Sequence, residues 1–279
     1  MRPVPSLGVL ALAVASAAPP LSAQEIPLPL RSGAGLSVTP AYEGWYVAED
    51  GTIAMSFGYM NRNMEETVEI PLGESNNIDH GFDGSQPTSF NPGRHFGVFT
   101  VNVPADFDPD ERVYWTLKVR GGTYSVPGHL HRDWLIDAIV GEGGSGNKPP
   151  SLKFEEDGAE AMGPGGPWGT RRTATAGEPF EITVWARDDG RGRTSVRSSG
   201  RAAPVSLTWF KHQGPGHVEF SEPTARVPYE GGSATTSVMF SMPGEYILRV
   251  RANDASGVGT AGHAQCCWSN GFVKVTVTP

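Results

Sequence analysis

The sequence predicts an all-β protein: two antiparallel β-sandwich domains in tandem behind a cleaved leader. Three observations predict it. Apolar and polar residues alternate at period two in many short runs, which is the mark of half-buried strands. The chain carries 36 Gly and 24 Pro, enough to punctuate short strands with turns, and long helical patterns are missing. A Gly/Pro stretch near the middle separates two blocks of such runs.

The chain opens "MRPVPSLGVLALAVASAAPPLSAQEIPLPL". One positive charge, an apolar run ended by Pro19-Pro20, and small residues up to Ala23 have the layout of a secretory signal peptide, expected to be residues 1–23. The run is too short to span a bilayer, which takes ~20 apolar residues. The expected location is therefore periplasmic or extracellular, with no membrane span. The formal charge of −8 becomes −9 when Arg2 leaves with the leader. An acidic chain with scattered Lys and Arg excludes nucleic acid as the expected partner.

The N-terminal sandwich is expected over residues 35–140. "TIAMSFGYM" puts Ile53, Met55, Phe57 and Tyr59 on one face, and "HFGVFTVNV" sets Phe99, Val101 and Val103 opposite Phe96, Val98, Thr100 and Asn102. "RVYWTLKVR" likewise places Val113, Trp115, Leu117 and Val119 together. The turns "EDGT", "NPGR", "VPADFDPDE" and "RGGT" separate them. Residues 141–150, within "VGEGGSGNKPP", read as a flexible, exposed linker.

The second sandwich is expected over residues 151–279. "SLKFEE" is a candidate strand, and "MGPGGPWG" a glycine-rich connection. Phe180, Ile182, Val184 and Ala186 share a face in "EPFEITVWARDDG", as do Val205, Leu207 and Trp209 in "VSLTWFKH". "SATTSVMFS" and "GEYILRVRAND" flank the turn "MPGE", and "FVKVTVT" closes the chain with Val273, Val275 and Val277 inward. A turn is expected at Asn270-Gly271.

The stretch "MPGEYILRVRANDASG", followed by "GFVKVTVTP", resembles the last two strands of bacterial immunoglobulin-like domains of the polycystic-kidney-disease-repeat and cadherin-like kind. "VSLTWFKHQGPGHVEFSEP" fits the same pattern, and the likeness covers roughly the last 75 residues. It implies an Ig-like sandwich with Tyr246 at the corner and Trp209 in the core. The loop "ASGVGTAGHAQCCWSNG" is longer than that pattern has.

That loop holds both cysteines of the chain, Cys266 and Cys267. Adjacent Cα atoms lie about 3.8 Å apart, below the ordinary disulfide range, and an extended strand would point the two sulfurs to opposite faces. Two separate thiols and a strained vicinal disulfide both stand as readings, with intermolecular pairing or metal binding as a third, and the oxidising compartment argues against free thiols. Trp268 beside a closed ring would suit stacking on a sugar. Trp45, Trp134 and Trp168 are further stacking candidates.

His129 and His131 in "GHLHRDW" form an H-x-H pair that suits Cu²⁺ or Zn²⁺, with His80 or His95 as further ligands. Surface loops also carry histidines in such spacing. Asp188, Asp189, Asn253 and Asp254 follow two strands that a sandwich can bring to one end, an arrangement that suits Ca²⁺; the same residue types also simply tolerate turns. No G-x-S-x-G, P-loop or dinucleotide fingerprint occurs. The expected function is a non-catalytic exported module for adhesion, glycan contact or envelope-complex assembly, with a protein or glycan partner. The alternative is a periplasmic copper- or zinc-binding protein.

Overall fold

The computed structural model describes residues 32–48, 50–137, 146–191, 204–254, 256 and 267–279. The leader, residues 141–145 of the expected linker, and Cys266 lie outside these. Among the described residues no helix is long and apolar enough to cross a membrane.

The architecture is all-β. In the first block β1 (Val38–Val47), β2 (Ile53–Asn61) and β6 (Gly93–Val103) form one sheet in the order β1-β2-β6. The short pair β3 (Val68–Glu69) and β5 (Ser89–Phe90) forms a second, and β4 (Asn76–Ile78), β7 (Val113–Val119) and β8 (Gly122–Gly128) a third. A 3-10 turn at Arg132–Trp134 follows. The alternation that predicts β2, β6 and β7 also packs them: Met55, Phe57, Tyr59, Phe99, Val101, Val103, Val113, Trp115 and Leu117 all enter one buried cluster. Asn76 closes the polar accounts of that core. Its amide donates to the carbonyls of Ile70 and Pro87, and its carbonyl accepts from the indole of Trp115 at 3.0 Å.

In the second block β10 (Trp168–Thr175), β12 (Val205–Gln213), β14 (Thr224–Val227), β16 (Gly244–Asn253) and β17 (Trp268–Thr278) make a five-stranded sheet ordered β10-β17-β16-β12-β14. A four-stranded sheet faces it, with β9 (Ser151–Lys153), β11 (Phe180–Arg187), β13 (Val218–Phe220) and β15 (Gly232–Phe240) in the order β13-β15-β11-β9. Their inner faces bury the predicted residues, Ile182, Val184, Leu207, Trp209, Leu248, Val250, Val273 and Val275 among them. The Tyr246 hydroxyl donates to the Met242 carbonyl at 2.8 Å and accepts from the Gly216 amide at 3.1 Å, tying the strand's entry to the preceding turn.

Three features depart from expectation. First, β10 pairs with β17 in parallel, so the sheets are not wholly antiparallel. Second, Asn270 and Gly271 make no turn: both lie inside β17, opposite Arg251 and Val250. The reason is that the Asn270 amide has tertiary partners, donating to Gly97 O at 2.6 Å and Pro164 O at 2.9 Å. Third, the described end of the linker is packed rather than exposed. Asn147, Pro149 and Pro150 are buried, and Asn147 donates to Asp254 Oδ2 at 2.7 Å and contacts Cys267 Sγ at 3.1 Å.

The outer face of the five-stranded sheet is covered by the first block. Trp268, 2% exposed, donates from its indole to Gly97 O at 3.3 Å. The Thr88 amide donates to His212 O at 2.8 Å, His212 Nε2 to Ser85 O at 2.8 Å, and Gln213 to the carbonyls of Gly84 and Gln86. Two glycines allow close approach to β17, Gly97 from the first block and Gly166 from the second block itself. At Gly97 (φ +44°) a Cβ would lie 2.5 Å from the Trp268 ring, and at Gly166 (φ +39°) it would fall on the Asn270 carbonyl.

Candidate functional site

Beside this junction the two blocks part to leave a cleft of about 1330 Å³. One wall is the end of the β1–β2 hairpin with Thr100 and Asn102 of β6. The other comprises Lys148, Ser151 of β9, Glu160, Trp168 of β10, and Arg187, Asp188 and Asp189 at the end of β11. The walls meet where the Gly165 amide donates to the Tyr46 hydroxyl at 3.0 Å. The positions follow from strand ends. Arg187 is the last residue of β11, pairing with Ser151, so the chain leaving that strand delivers Asp188 and Asp189 to the rim.

Glu160 and Arg187 organise the middle of the wall. Arg187 Nε donates to Glu160 Oε2 at 2.7 Å, and Ser151 Oγ to the same oxygen at 2.9 Å. Partial burial would raise the Glu160 carboxyl, but these two bonds and the Arg187 charge outweigh it and hold it below its usual range. At the lip Trp168 is 47% exposed. Its ring stacks on Phe272 with centroids 4.7 Å apart, and Lys274 Nζ lies 5.3 Å from its centroid. The indole is therefore a braced platform in contact with solvent.

At the acidic end, burial pushes the Asp188 carboxyl up to about 6, helped by the neighbouring charges of Asp254 and Asp189. Asp188 Oδ2 accepts from the Gly190 amide at 2.9 Å, while Oδ1 is buried with no hydrogen-bond partner. Asp254, 5% exposed, is likewise raised by burial and accepts from Asn147 and from the Ser256 amide. The fold thus places Asp188, Asp189 and Asp254 close enough for their charges to act on one another. Asn253 joins only through a 3.3 Å bond from its amide to the Asp254 backbone. Among the described residues no three His, Cys, Asp or Glu side chains converge to hold a metal ion.

The histidines are dispersed. His129 and His131 are neighbours, their ring centroids 6.3 Å apart, but His129 packs against Tyr42 and Trp134, and His131 sits beside Asp133. His80 is 3.8 Å from Asp79, at a positive φ of 55°. His95 is stacked on Tyr59 at 4.8 Å, its Nε2 donating to Pro92 O at 3.1 Å, and burial lowers its pKa to about 4. Neither His80 nor His95 completes a group of three ligands with the H-x-H pair.

Of the tryptophans, Trp268 is sealed within the junction and offers no face to a sugar. Trp45 donates to His131 O at 2.9 Å and packs on the first core, and Trp134 stacks on Tyr42 at 5.5 Å. Only Trp168, of the four candidates, is exposed beyond a third of its surface. Thr100, Asn102, Glu160 and Arg187 went unmarked at the sequence level. Thr100 and Asn102 share one face of β6, but Glu160 and Arg187 come from other parts of the chain, and no local spacing joins them to that pair.

No family model and no curated protein matches the chain. Solved structures similar to parts of it include the D00-D0 domain of intimin, 13% identical over 87% of this chain and 100% of that one, with a TM-score of 0.28. Domains 4 and 5 of the S-layer protein SbsC are 12% identical over 80% of this chain and 90% of that one, with a TM-score of 0.24. A Porphyromonas gingivalis protein of unknown function is 12% identical over 86% of this chain and 99% of that one, also at 0.24. Likenesses at these scores bear on neither the site nor its chemistry.

Proposed function

We propose that the chain is an exported, non-catalytic binding module of two β-sandwich domains, residues 35–140 and 151–279, whose cleft takes a glycan at the cell envelope. The observation that carries this reading is the Trp168 platform, braced by Phe272 at the lip of a cleft whose walls hold Asn102, Glu160, Arg187 and Asp189. A sugar ring presents an apolar C–H face to an indole and a fringe of hydroxyls to planar donors and acceptors, which is the combination the cleft offers. Export rests on the leader sequence. A glycan array probed with the mature chain tests the function. Binding of one glycan class, weakened about tenfold or more by Trp168→Ala, is the expected result. Silence across the array, or equal binding by the variant, would sink it.

We also propose that Cys266 and Cys267 are bonded to each other. The ring would brace the long loop before β17, next to the buried Cys267–Asn147 contact. Mass spectrometry of the mature chain should show two hydrogens fewer than the dithiol and no alkylation before reduction.

A further inference from the structure

The charges at the junction do not balance. Arg94 pairs with Glu43, and Lys211 lies 3.0 Å from Glu69. Arg249 and Arg251, successive outward residues of β16, have no carboxylate within ion-pair distance among the described residues. Arg249 is 2% exposed and still protonated at neutral pH, burial having drawn its pKa down only to about 9. Its Nη1 donates to Asn270 Oδ1 at 2.9 Å, and its guanidinium lies 4.3 Å from the Phe210 centroid. Arg251 lies 5.5 Å from the same centroid. The Nε–H groups of both arginines are buried with no acceptor.

Two acceptors are stranded nearby. His95 and His212 each direct Nε2 to a backbone carbonyl, which can only accept, so each Nδ1 carries a lone pair, and neither has a partner. The His95 ring lies 5.8 Å from the Phe210 ring, and both imidazoles feel the Arg249 charge. A neutral amide and one aromatic face recover only part of the hydration that a buried guanidinium gives up. A water could meet single hydrogen-bonding groups, but it would leave the charge unanswered.

We infer that the junction binds a small phosphate-type oxyanion, hydrogen phosphate in particular, between Arg249 and Arg251. Its charged oxygens accept from the two guanidinium groups, which suit tetrahedral oxyanions by geometry, and its remaining proton meets an imidazole Nδ1. Arg251 is half-buried and Arg249 buried, so the anion would reach the site past Arg251. The site is separate from the cleft and does not depend on the glycan reading.

The mature chain in chloride buffer, titrated with inorganic phosphate at matched ionic strength, tests this. The unfolding midpoint should rise saturably by several degrees, with sodium sulfate giving a smaller rise and phenyl phosphate, too bulky for a buried site, none. Arg251→Gln should abolish the rise and Arg251→Lys weaken phosphate binding several-fold, whereas Arg187→Gln in the cleft should leave it intact. No phosphate-specific rise in the wild type would overturn the proposal, whatever the variants do. So would a rise that survives Arg251→Gln, one lost in Arg187→Gln, or an equal response to sulfate or phenyl phosphate.

Discussion

Strand β16 divides its residues between two buried regions of opposite character. Tyr246, Leu248 and Val250 enter the apolar core between the two sheets of the second block, while Ile247, Arg249 and Arg251 face the first block across the junction. The core is held by contact among carbon atoms, in which near neighbours are interchangeable so long as volume is kept. The junction is held by directed bonds: Asn270 to two carbonyls and an arginine, His212 to Ser85, Trp268 to Gly97. The difference teaches that burial alone says little about tolerance. A core forgives shape within limits, whereas a polar junction requires each partner because an unmet buried group costs the full loss of its hydration.

Four substitutions would break or sharpen that contrast. The largest effect belongs to the core. Trp209, 4% exposed and stacked on Phe220, should cost about 3 to 5 kcal/mol as Trp209→Ala, read by denaturant unfolding. An unchanged midpoint would mean the packing of β12 is misassigned. Gly166→Ala comes next, at roughly 2 to 4 kcal/mol, because a methyl at φ +39° would strike the Asn270 carbonyl, a backbone atom that cannot swing aside. Both blocks should keep their strand content while amide exchange accelerates at Gly97, Trp268 and Asn270. Asn270→Ala should cost about 1 to 3 kcal/mol, since it strands the buried Pro164 carbonyl and the Arg249 donor and leaves the Gly97 carbonyl only the Trp268 indole.

The fourth contrast is a pH dependence that the core cannot have. Burial, reinforced by the Arg249 charge, lowers the His212 pKa to about 3. Between the ordinary imidazole range near 6.5 and that value the unfolded chain binds more protons, so His212's share of stability is complete above about 6.5 and is lost as pH falls. The slope for one group is at most about 1.4 kcal/mol per pH unit. Any advantage of the wild type over His212→Gln should therefore shrink from pH 7 to pH 4. A difference constant over that range would show that the imidazole is hydrated in the folded state.

Much of the fold was legible. Met55-Phe57-Tyr59, Trp115-Leu117, Ile182-Val184-Ala186 and Val273-Val275-Val277 each alternate along a strand, and each lines a core as the alternation requires. β10 was not legible. Its sequence, "WGTRRTAT", has no apolar stripe, because it is an edge strand beside β17 with a single buried residue, Ala174. Asn270-Gly271 misled for a related reason. The pair favours a turn when only local geometry counts, and here three distant groups, Gly97, Pro164 and Arg249, outbid that preference.

By itself the sequence determined what period-two alternation and turn chemistry can specify: the all-β class, most strands of both blocks, and the inward face of each. Those properties depend on residues a few positions apart, so one chain segment suffices to express them. Tertiary structure alone decided the outward faces. Arg249 and Trp268 are buried because another part of the chain covers their sheet, and Trp168 is exposed because it lies at the edge of that cover. Which strand faces meet depends on connections spanning more than a hundred residues, such as Trp268 to Gly97, and no local pattern encodes them.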